Sequence, residues 1–170
     1  MLGRNFHING VWALDFALLG EEDIYQIYSM RHHESNLCQM YSSFSLQEHL
    51  AFVASLGRDR TRRFFLMKER EVVLGVGSLD EIDGTHATIG LYKNPTLNRV
   101  GDKILQTLEV IAWEHLDLHT LVLEVRESNQ RAILCYERNG FSQAGRLREF
   151  VRVYNATKYE DILIYEKIRP

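Results

Sequence analysis

The sequence predicts a mixed α/β (α+β) fold, in which a mixed central sheet carries helices on both faces. Two apolar runs at 64–67 and 72–78, joined by a short polar turn, indicate an antiparallel strand pair. A long amphipathic segment at about 99–116 lies between further apolar runs at 88–92 and 121–125. Strands interleaved with amphipathic helices predict a layered sheet, because each element must bury its apolar face against another.

Length and composition favour one domain over residues 1–170. The chain has 170 residues, of which 45% are hydrophobic, and a chain of this size buries about two thirds of its unfolded surface. No low-complexity or Pro/Ser-rich linker divides it. The net charge of −3 and the dispersed basic residues argue against a nucleic-acid partner. Cys38 and Cys135 are far apart and no apolar run approaches a membrane span, so we expect a cytoplasmic protein without membrane contact.

The first half of the chain predicts one strand and two helices. We expect the first strand at 11–18. Acidic residues after Gly20 indicate a helix start, because carboxylates stabilise the positive end of the helix dipole. Ser45 and Glu48 have the spacing of a capping box and predict a second helix that ends at Gly57.

The long helix is expected to bury one face and expose the other. Spacings of three and four residues place on the buried face Ile104, Leu108, Ile111, Ala112 and His115. The residues expected to face outward are Asp102, Lys103, Gln106 and Glu109. A short helix from Gln130 and two strands at about 146–154 and 161–167 complete the predicted elements.

The loop that leads into the long helix is a candidate phosphate site. Backbone N–H groups converge at a helix N-terminus, and a glycine such as Gly101 lets the backbone approach phosphate oxygens. Arg99 could add a cation to a diphosphate. An ordinary connection between a strand and a helix explains the same residues, because glycines are common near helix starts.

Two polar residues fit acyl transfer to an amine, which needs a neutral nucleophile, a polarised carbonyl and a proton for the departing thiolate. Glu124, midway along an apolar run, is the candidate base, and partial burial would make it a better proton acceptor. Tyr136 is the candidate acid, because a phenol stays protonated at neutral pH. The alternatives are a carboxylate paired with a cation and a core aromatic.

The segment from Asn129 to Phe141 resembles the coenzyme-A half of the GNAT acyltransferase superfamily. It reads Asn-x-x-Ala-x-x-x-Tyr-x-x-x-Gly-Phe. The resemblance implies the GNAT acyl-CoA N-acyltransferase fold, with acetyl-CoA as cosubstrate and no metal. The cofactor-binding residues that it implies are Leu91, Tyr92, Lys93, Arg99, Val100, Gly101, Asp102, Lys103, Asn129, Ala132 and Tyr136. The superfamily loop Gln/Arg-x-x-Gly-x-Gly/Ala is not fully matched, since Thr96 holds its first position and Arg99 its first glycine.

A narrower resemblance covers nearly the whole chain and points to the N-acetyltransferases of pseudaminic acid biosynthesis. The segments that carry it include 40–46, 74–78, 90–95, 123–125 and 145–147. Such enzymes acetylate the 4-amino group of a UDP-4-amino-4,6-dideoxy-N-acetylaltrosamine, on the route to a nonulosonic acid that decorates bacterial flagellin. The resemblance implies a base at Glu124 and an acid at Tyr136. The substrate-binding residues that it implies are Met40, Tyr41, Phe52, Ser78 and Glu124.

Other interpretations stay open at this point. The family's first helix often ends in Arg-Asn-His-Pro, whereas this chain has Arg-His-His-Glu at 31–34, so a different bend of the acceptor-side loop is expected. Met40, Tyr41 and Phe52 could equally belong to the core. The acceptor could be a protein N-terminus, a ribosomal protein or another small amine, and a silent module that binds coenzyme A is a further alternative. A homodimer is left open, and the His residues lack the spacing of a metal site.

Overall fold

The structure is a computed structural model that describes residues 3–39 and 43–170, and its central element is a mixed sheet. In chain order the strands are β1 (Phe6–Ile8), β2 (Val11–Asp15), β3 (Arg63–Glu69), β4 (Val72–Asp80), β5 (His86–Lys93), β6 (Thr120–Arg126), β7 (Ser142–Arg152) and β8 (Tyr159–Ile168). The α-helices are α1 (Glu21–Arg31), α2 (Glu34–Leu37), α3 (Leu46–Leu56), α4 (Gly101–Val110) and α5 (Gln130–Arg138). None of the described helices has the length and hydropathy needed to cross a membrane.

The strands lie in the order β1-β2-β3-β4-β5-β6-β8-β7. Neighbouring strands are antiparallel except β5 and β6, which are parallel. Parallel neighbours need a crossover connection, and α4 supplies it here. The mixed sheet confirms the predicted fold class.

Helices cover both faces of the sheet. On the first face, which we call the α4 face, α4 and α5 cover a core that contains Leu108 and Leu123. On the opposite face, called the α1 face, Ile27 and Val53 of α1 and α3 pack with Val76 of β4. The sheet is therefore buried on both sides over its central strands.

Two glycines of β4 let α4 lie directly on the sheet. A Cβ atom at Gly77 would come within 2.8 Å of Leu108 Cδ1, and one at Gly75 would come within 2.9 Å of Ile104 Cδ1. At Gly77 a side chain would displace Leu108 of the helix, whereas at Gly75 it would meet the backbone of Tyr92 and Lys93 on β5 as well as Ile104. The position of α4, and with it the candidate phosphate loop, depends on these glycines.

The capping box predicted for α3 is confirmed. Glu48 N donates to Ser45 Oγ at 3.2 Å, and Ser45 N donates to Glu48 Oε2 at 2.7 Å. Such a cap stabilises a helix by about 1 kcal/mol. The helix ends at Gly57 and α1 follows Gly20, both as expected.

The strand expected at 11–18 is wrong in its second half. The strand ends at Asp15, and a 3₁₀ turn follows at Phe16–Leu18. The Asp15 carboxylate accepts a hydrogen bond from Ala17 N at 3.0 Å. An aspartate that binds the backbone two residues ahead favours a turn over continued strand pairing.

The sequence analysis missed the hairpin between β1 and β2. Its turn is formed by Asn9 and Gly10, whose φ angles are 50° and 84°. An Asn-Gly pair is the residue combination that two-residue hairpin turns favour. The signal was therefore present in the sequence.

Two expectations for the long helix are wrong. His115 is exposed, because α4 continues into a π-helical segment at Ile111–His115 in which Leu116 N donates to Ile111 O. The wider turn rotates His115 away from the buried face. Glu109 is buried where exposure was expected, and its Oε2 accepts a hydrogen bond from Lys167 Nζ at 3.0 Å. The partner ammonium makes burial of that carboxylate tolerable.

Candidate active site

The sheet opens between its two parallel strands. Their pairing ends at Ile89 and Leu123, after which β5 continues beside β4 alone and β6 continues beside β8. The β6-facing edge of β5 from Gly90 to Lys93 therefore has no strand partner in the described part of the chain. Backbone groups on such an edge are available to an extended ligand. We call this opening the β5–β6 split.

The N-terminus of α4 forms a second source of backbone donors. Val100 occupies the N-cap position without a side-chain hydrogen bond, so the cap leaves the first N–H groups of the helix to a ligand. Those groups belong to Gly101, Asp102 and Lys103. The last two side chains are engaged elsewhere, since Asp102 pairs with Arg138 at 2.6 Å and Lys103 Nζ binds Glu69 at 2.7 Å. What these residues can offer an anion is therefore their backbone.

Arg99 adopts a backbone conformation that normally selects glycine. Its φ angle is 58°, in the left-handed region, which is where the resemblance placed the superfamily's first glycine. Arg99 thus replaces the glycine of the motif, while the backbone of the loop keeps the left-handed conformation that a glycine would adopt. The Arg99 side chain is exposed beside the start of α4.

Removing the charge of Arg99 tests its proposed role. We expect Arg99→Asn, which tolerates the left-handed conformation, to raise the KM for acetyl-CoA about tenfold through the loss of a charged contact. Arg99→Lys keeps the cation and should stay near the wild-type value. Arg148→Ala, on the distant strand β7, is the control for a general loss of positive charge. Steady-state kinetics with equal KM values for all four proteins would remove Arg99 from the cofactor site.

Lys93 and Arg131 place further positive charge at the end of the split. Burial, and next the charge of Arg131, lowers the pKa of Lys93. Lys93 Nζ donates to Leu97 O at 2.5 Å, so the ammonium also holds the loop that leads to α4. Sequence reasoning missed Arg131, because it stands at a variable position of the motif from Asn129 to Phe141.

The helix α5 fixes the candidate acid. Asn129 caps the helix by accepting a hydrogen bond from Ala132 N. Gly140 ends it with a φ of 82°, and Phe141 N turns back to Tyr136 O at 3.0 Å. The motif spacing thus marks the start and the end of one short helix.

Tyr136 is buried in the core of the α4 face. Its ring centroid lies 6.3 Å from that of Phe141 and 6.4 Å from that of Tyr165. Burial raises the pKa of Tyr136. The phenol is therefore protonated over the whole physiological range, as a proton donor must be.

Glu124 projects from the opposite face of the sheet. Its neighbours Leu123 and Val125 belong to the core of the α4 face, and strand side chains alternate, so Glu124 points toward the α1 face. The expected partial burial is wrong, because this side chain is exposed. Exposure leaves it within reach of an incoming acceptor.

The candidate base and acid approach from different sides, and the β5–β6 split is the place where they can meet. Glu124 lies one residue beyond the last parallel pair, at the point where the strands part. Tyr136 packs on the α4 face beside Tyr165, which is paired in register with Leu123 of that last parallel pair. Whether both oxygens flank one sulfur stays a prediction.

Two of the implied substrate residues lie close together on the α1 face. Phe52 packs edge-on against Phe64, with ring centroids 5.0 Å apart, and Phe64 is paired in register with Ser78. Ser78 is buried and donates from Oγ to Asp80 Oδ2 at 2.8 Å. The other two, Met40 and Tyr41, lie outside the described residues. Phe52 also contributes to the core, as the alternative interpretation held.

Buried polar residues support the site, and sequence reasoning missed them. Asn36 donates from Nδ2 to Met30 O at 2.9 Å and to Lys93 O at 3.0 Å, which ties the end of α1 to the end of β5. Arg126 is buried beside Glu160 at 2.7 Å. Lys93 and Glu160 are distant in sequence from Asn36 and Arg126, so no local pattern indicates these two contacts.

The cysteine beside the phosphate loop is a poor nucleophile. Burial, and then the neighbouring Asp102 carboxylate, raises the pKa of Cys135 to about 11, and the thiolate is the reactive form. No cluster of three or more His, Cys, Asp or Glu side chains suited to a metal occurs among the residues that the structure describes. The Cys135 thiol is therefore a poor candidate for an acyl-cysteine intermediate.

An open strand edge beside free N–H groups at a helix start can hold an extended ligand that carries a diphosphate, which is what an acyl-CoA-dependent acyltransferase requires. The chain belongs to the acetyltransferase (GNAT) family, whose family model matches residues 22–141. It is an acetyl-CoA-dependent N-acetyltransferase, as the motif from Asn129 to Phe141 implied.

Particular relatives narrow the comparison. The chain is 27% identical over 140 residues to acetyltransferase PseH of Campylobacter jejuni strain 81-176. The aligned region covers 82% of this chain and 89% of the relative. The chain is 29% identical over 130 residues to PseH of strain NCTC 11168, covering 75% and 82%.

Solved structures confirm the fold. The crystal structure of C. jejuni PseH in complex with acetyl coenzyme A has a TM-score of 0.74 at 22% identity, covering 94% of this chain and 99% of that one. Spermidine N-acetyltransferase from Vibrio cholerae, in complex with CoA and spermine, has a TM-score of 0.84 at 18% identity, covering 95% and 96%. Because enzymes named for different acceptors share this fold, the fold alone does not select the acceptor.

Proposed function

We propose that residues 1–170 work as one GNAT domain that transfers acetyl from acetyl-CoA to the 4-amino group of a UDP-4-amino-4,6-dideoxy-N-acetylaltrosamine. The observation that carries the proposal is the β5–β6 split, with Glu124 exposed on one side and Tyr136 buried on the other. The relatives named PseH support the acceptor class and the pseudaminic acid pathway. In this proposal the reaction takes place in the cytoplasm, and its product serves flagellin glycosylation.

Acetyl-CoA fits the groups that surround the split. The open edge of β5, at Leu91, Tyr92 and Lys93, would bind the pantetheine arm through backbone hydrogen bonds. The first N–H groups of α4 would bind the diphosphate, with Arg99 beside them. The side-chain oxygen of Asn129 accepts the helix-cap hydrogen bond, so its amide NH₂ would donate to a carbonyl of the pantetheine arm.

The proposed reaction is a direct displacement. The acceptor nitrogen attacks the thioester carbonyl, whose developing negative charge is stabilised by backbone N–H groups at Leu91. Glu124 takes the proton that the nitrogen loses, directly or through a water molecule. The carbon–sulfur bond then breaks, and the Tyr136 hydroxyl gives its proton to the departing thiolate. Proton exchange with solvent restores both side chains.

The acceptor would lie on the α1 face. There Phe52 offers an aromatic surface, and Ser78 and Glu124 offer polar groups on the strands below it. Met40 and Tyr41 would complete the nucleotide site in this proposal. The 6-methyl group of the sugar and the uracil ring both need apolar walls, which aromatic and methionine side chains supply.

An acceptor panel tests the proposal. Release of free thiol from acetyl-CoA would be measured with the UDP-4-amino sugar, spermidine and an N-terminal peptide. We expect the highest kcat/KM with the UDP-4-amino sugar and no release with UDP-N-acetylglucosamine, which lacks the free amine. Preference for spermidine or the peptide would contradict the acceptor assignment. Binding of acetyl-CoA without turnover on any amine would contradict catalysis and favour the silent module.

A further inference from the structure

Ser78 and Asp80 form a hydrogen-bonded pair on the acceptor side of the sheet. They are two residues apart on β4, so their side chains share one face, and Leu79 between them is buried in the opposite core. Ser78 Oγ lies 2.8 Å from Asp80 Oδ2 and 3.5 Å from Gly90 O. The Ser78 hydroxyl has one proton, and it is donated to the Asp80 carboxylate, because that acceptor is charged and lies closer than Gly90 O.

The pair lies next to the β5–β6 split. Ser78 is paired in register with Gly90, and Gly90 is the first residue of β5 beyond the last pair with β6. Glu124 holds the same position on β6. Ser78, Gly90 and Glu124 therefore follow one another across the α1 face, with the opening between the last two.

Gly90 keeps the serine oxygen uncovered from the side of the split. A Cβ atom at Gly90 would lie 2.6 Å from Ser78 Oγ, which is too close for any side chain to fit. Ser78 is only 4% exposed as a residue, and its side-chain oxygen lies beside Gly90 at the split. With its proton directed to Asp80, that oxygen has lone pairs to accept a hydrogen bond.

We propose that Asp80 is a positioning residue for acyl transfer: it fixes the Ser78 hydroxyl so that the serine oxygen accepts an N–H from the acceptor amine beside Gly90. The inference rests on the proposed function, since it requires an amine in the split. An amine that arrives protonated can pass a proton to Ser78 Oγ while Ser78 passes its own proton to Asp80 Oδ2. One N–H bond breaks, one O–H bond forms at Asp80, and the neutral amine remains.

The charges around Asp80 suit this role. Burial raises the pKa of Asp80, while the Ser78 hydrogen bond and the charge of Arg62 lower it to a lesser extent; Glu81 and Asp59 add to the rise. Arg62 is itself bound to Asp59 at 2.6 Å. For a carboxylate with a raised pKa, ionisation in the folded state costs stability at neutral pH, and that cost disappears as the pH falls through the folded pKa.

The amide variant Asp80→Asn separates a positioning role from a structural one. We expect kcat/KM for the acceptor to fall roughly 10²-fold, with the Kd for acetyl-CoA unchanged and the Tm at pH 7 equal to or above that of the wild type. The acid side of the pH profile should become flatter, because one ionisation is lost. Ser78→Ala should lower kcat/KM by a similar factor, and the double variant by little more, because both single variants interrupt the same proton path from the amine through Ser78 to Asp80.

The matched control is Glu81→Gln, which removes a neighbouring exposed carboxylate that binds Thr88 Oγ1 at 2.8 Å. With the amine that the wild type acetylates fastest, it should keep kcat/KM within about twofold of the wild-type value, since Glu81 is only a minor cause of the raised pKa of Asp80. If Asp80→Asn behaves like Glu81→Gln, or if it loses activity and Tm together, the inference is overturned while the acceptor assignment stands. A wild-type protein that is inert on every amine would overturn both.

Discussion

Tyr136→Phe should lower kcat and kcat/KM together by roughly 10²-fold, because the variant cannot protonate the departing thiolate. The ring should stay in place, because it packs against the rings of Phe141 and Tyr165, which the substitution leaves unchanged. The Tm should therefore change little. Because burial raises the pKa of Tyr136, the wild-type kcat should show no loss from ionisation of this phenol below about pH 10.

Tyr165→Phe is the matched control for this experiment. Tyr165 is buried in the same aromatic cluster, and its hydroxyl donates to Glu137 at 3.0 Å. Losing that hydroxyl should leave kcat within about twofold of the wild-type value. The role of Tyr136 would be contradicted if both variants lost the same activity, or if Tyr136→Phe kept wild-type turnover with the preferred acceptor.

Glu124→Gln should cause the other large loss, a fall in kcat of about 10² to 10⁴-fold with little change in the Kd for acetyl-CoA. The amide keeps the size of the side chain but cannot take a proton from the acceptor nitrogen. Because Glu124 is exposed on the α1 face, the substitution should not lower the Tm. Single-turnover kinetics would show whether the loss falls on the chemical step or on product release.

Glu166→Gln provides the comparison for Glu124. Glu166 lies on the adjacent strand β8 and is paired in register with Val122. Because Val122 is two residues before Glu124 on β6, the side chains of Glu166 and Glu124 point to the same face of the sheet. The variant should retain full activity. If kcat fell equally in the two variants, the loss would reflect the negative charge on this face of the sheet and would contradict proton transfer by Glu124.

Local sequence signals predicted the elements that depend on neighbours in the chain. The capping box at Ser45 and the acidic helix start after Gly20 were confirmed, because both act within one helical turn. The motif from Asn129 to Phe141 marked α5 correctly for the same reason. Strand alternation could also have placed Glu124 opposite Leu123, and it was overlooked because the surrounding run is apolar.

Contacts between distant segments could not be read in this way. Glu109 is buried because Lys167 reaches it from β8, and helix periodicity holds no information about that partner. Asn36 acts through the carbonyl of Lys93, 57 residues further on. The pairing of Ser78 with Gly90 likewise depends on strand register, which tertiary packing sets.

A crystal structure with coenzyme A and the UDP-4-amino sugar bound tests the central claim most directly. The expected result has the pantetheine arm along the open edge of β5, with Tyr136 Oη about 3 to 3.5 Å from the sulfur. The Glu124 carboxylate should face the 4-amino group from the α1 face, on the other side of the split. Cofactor density outside the β5–β6 split, or a Tyr136 hydroxyl enclosed in the α4-face core away from the sulfur, would contradict the account.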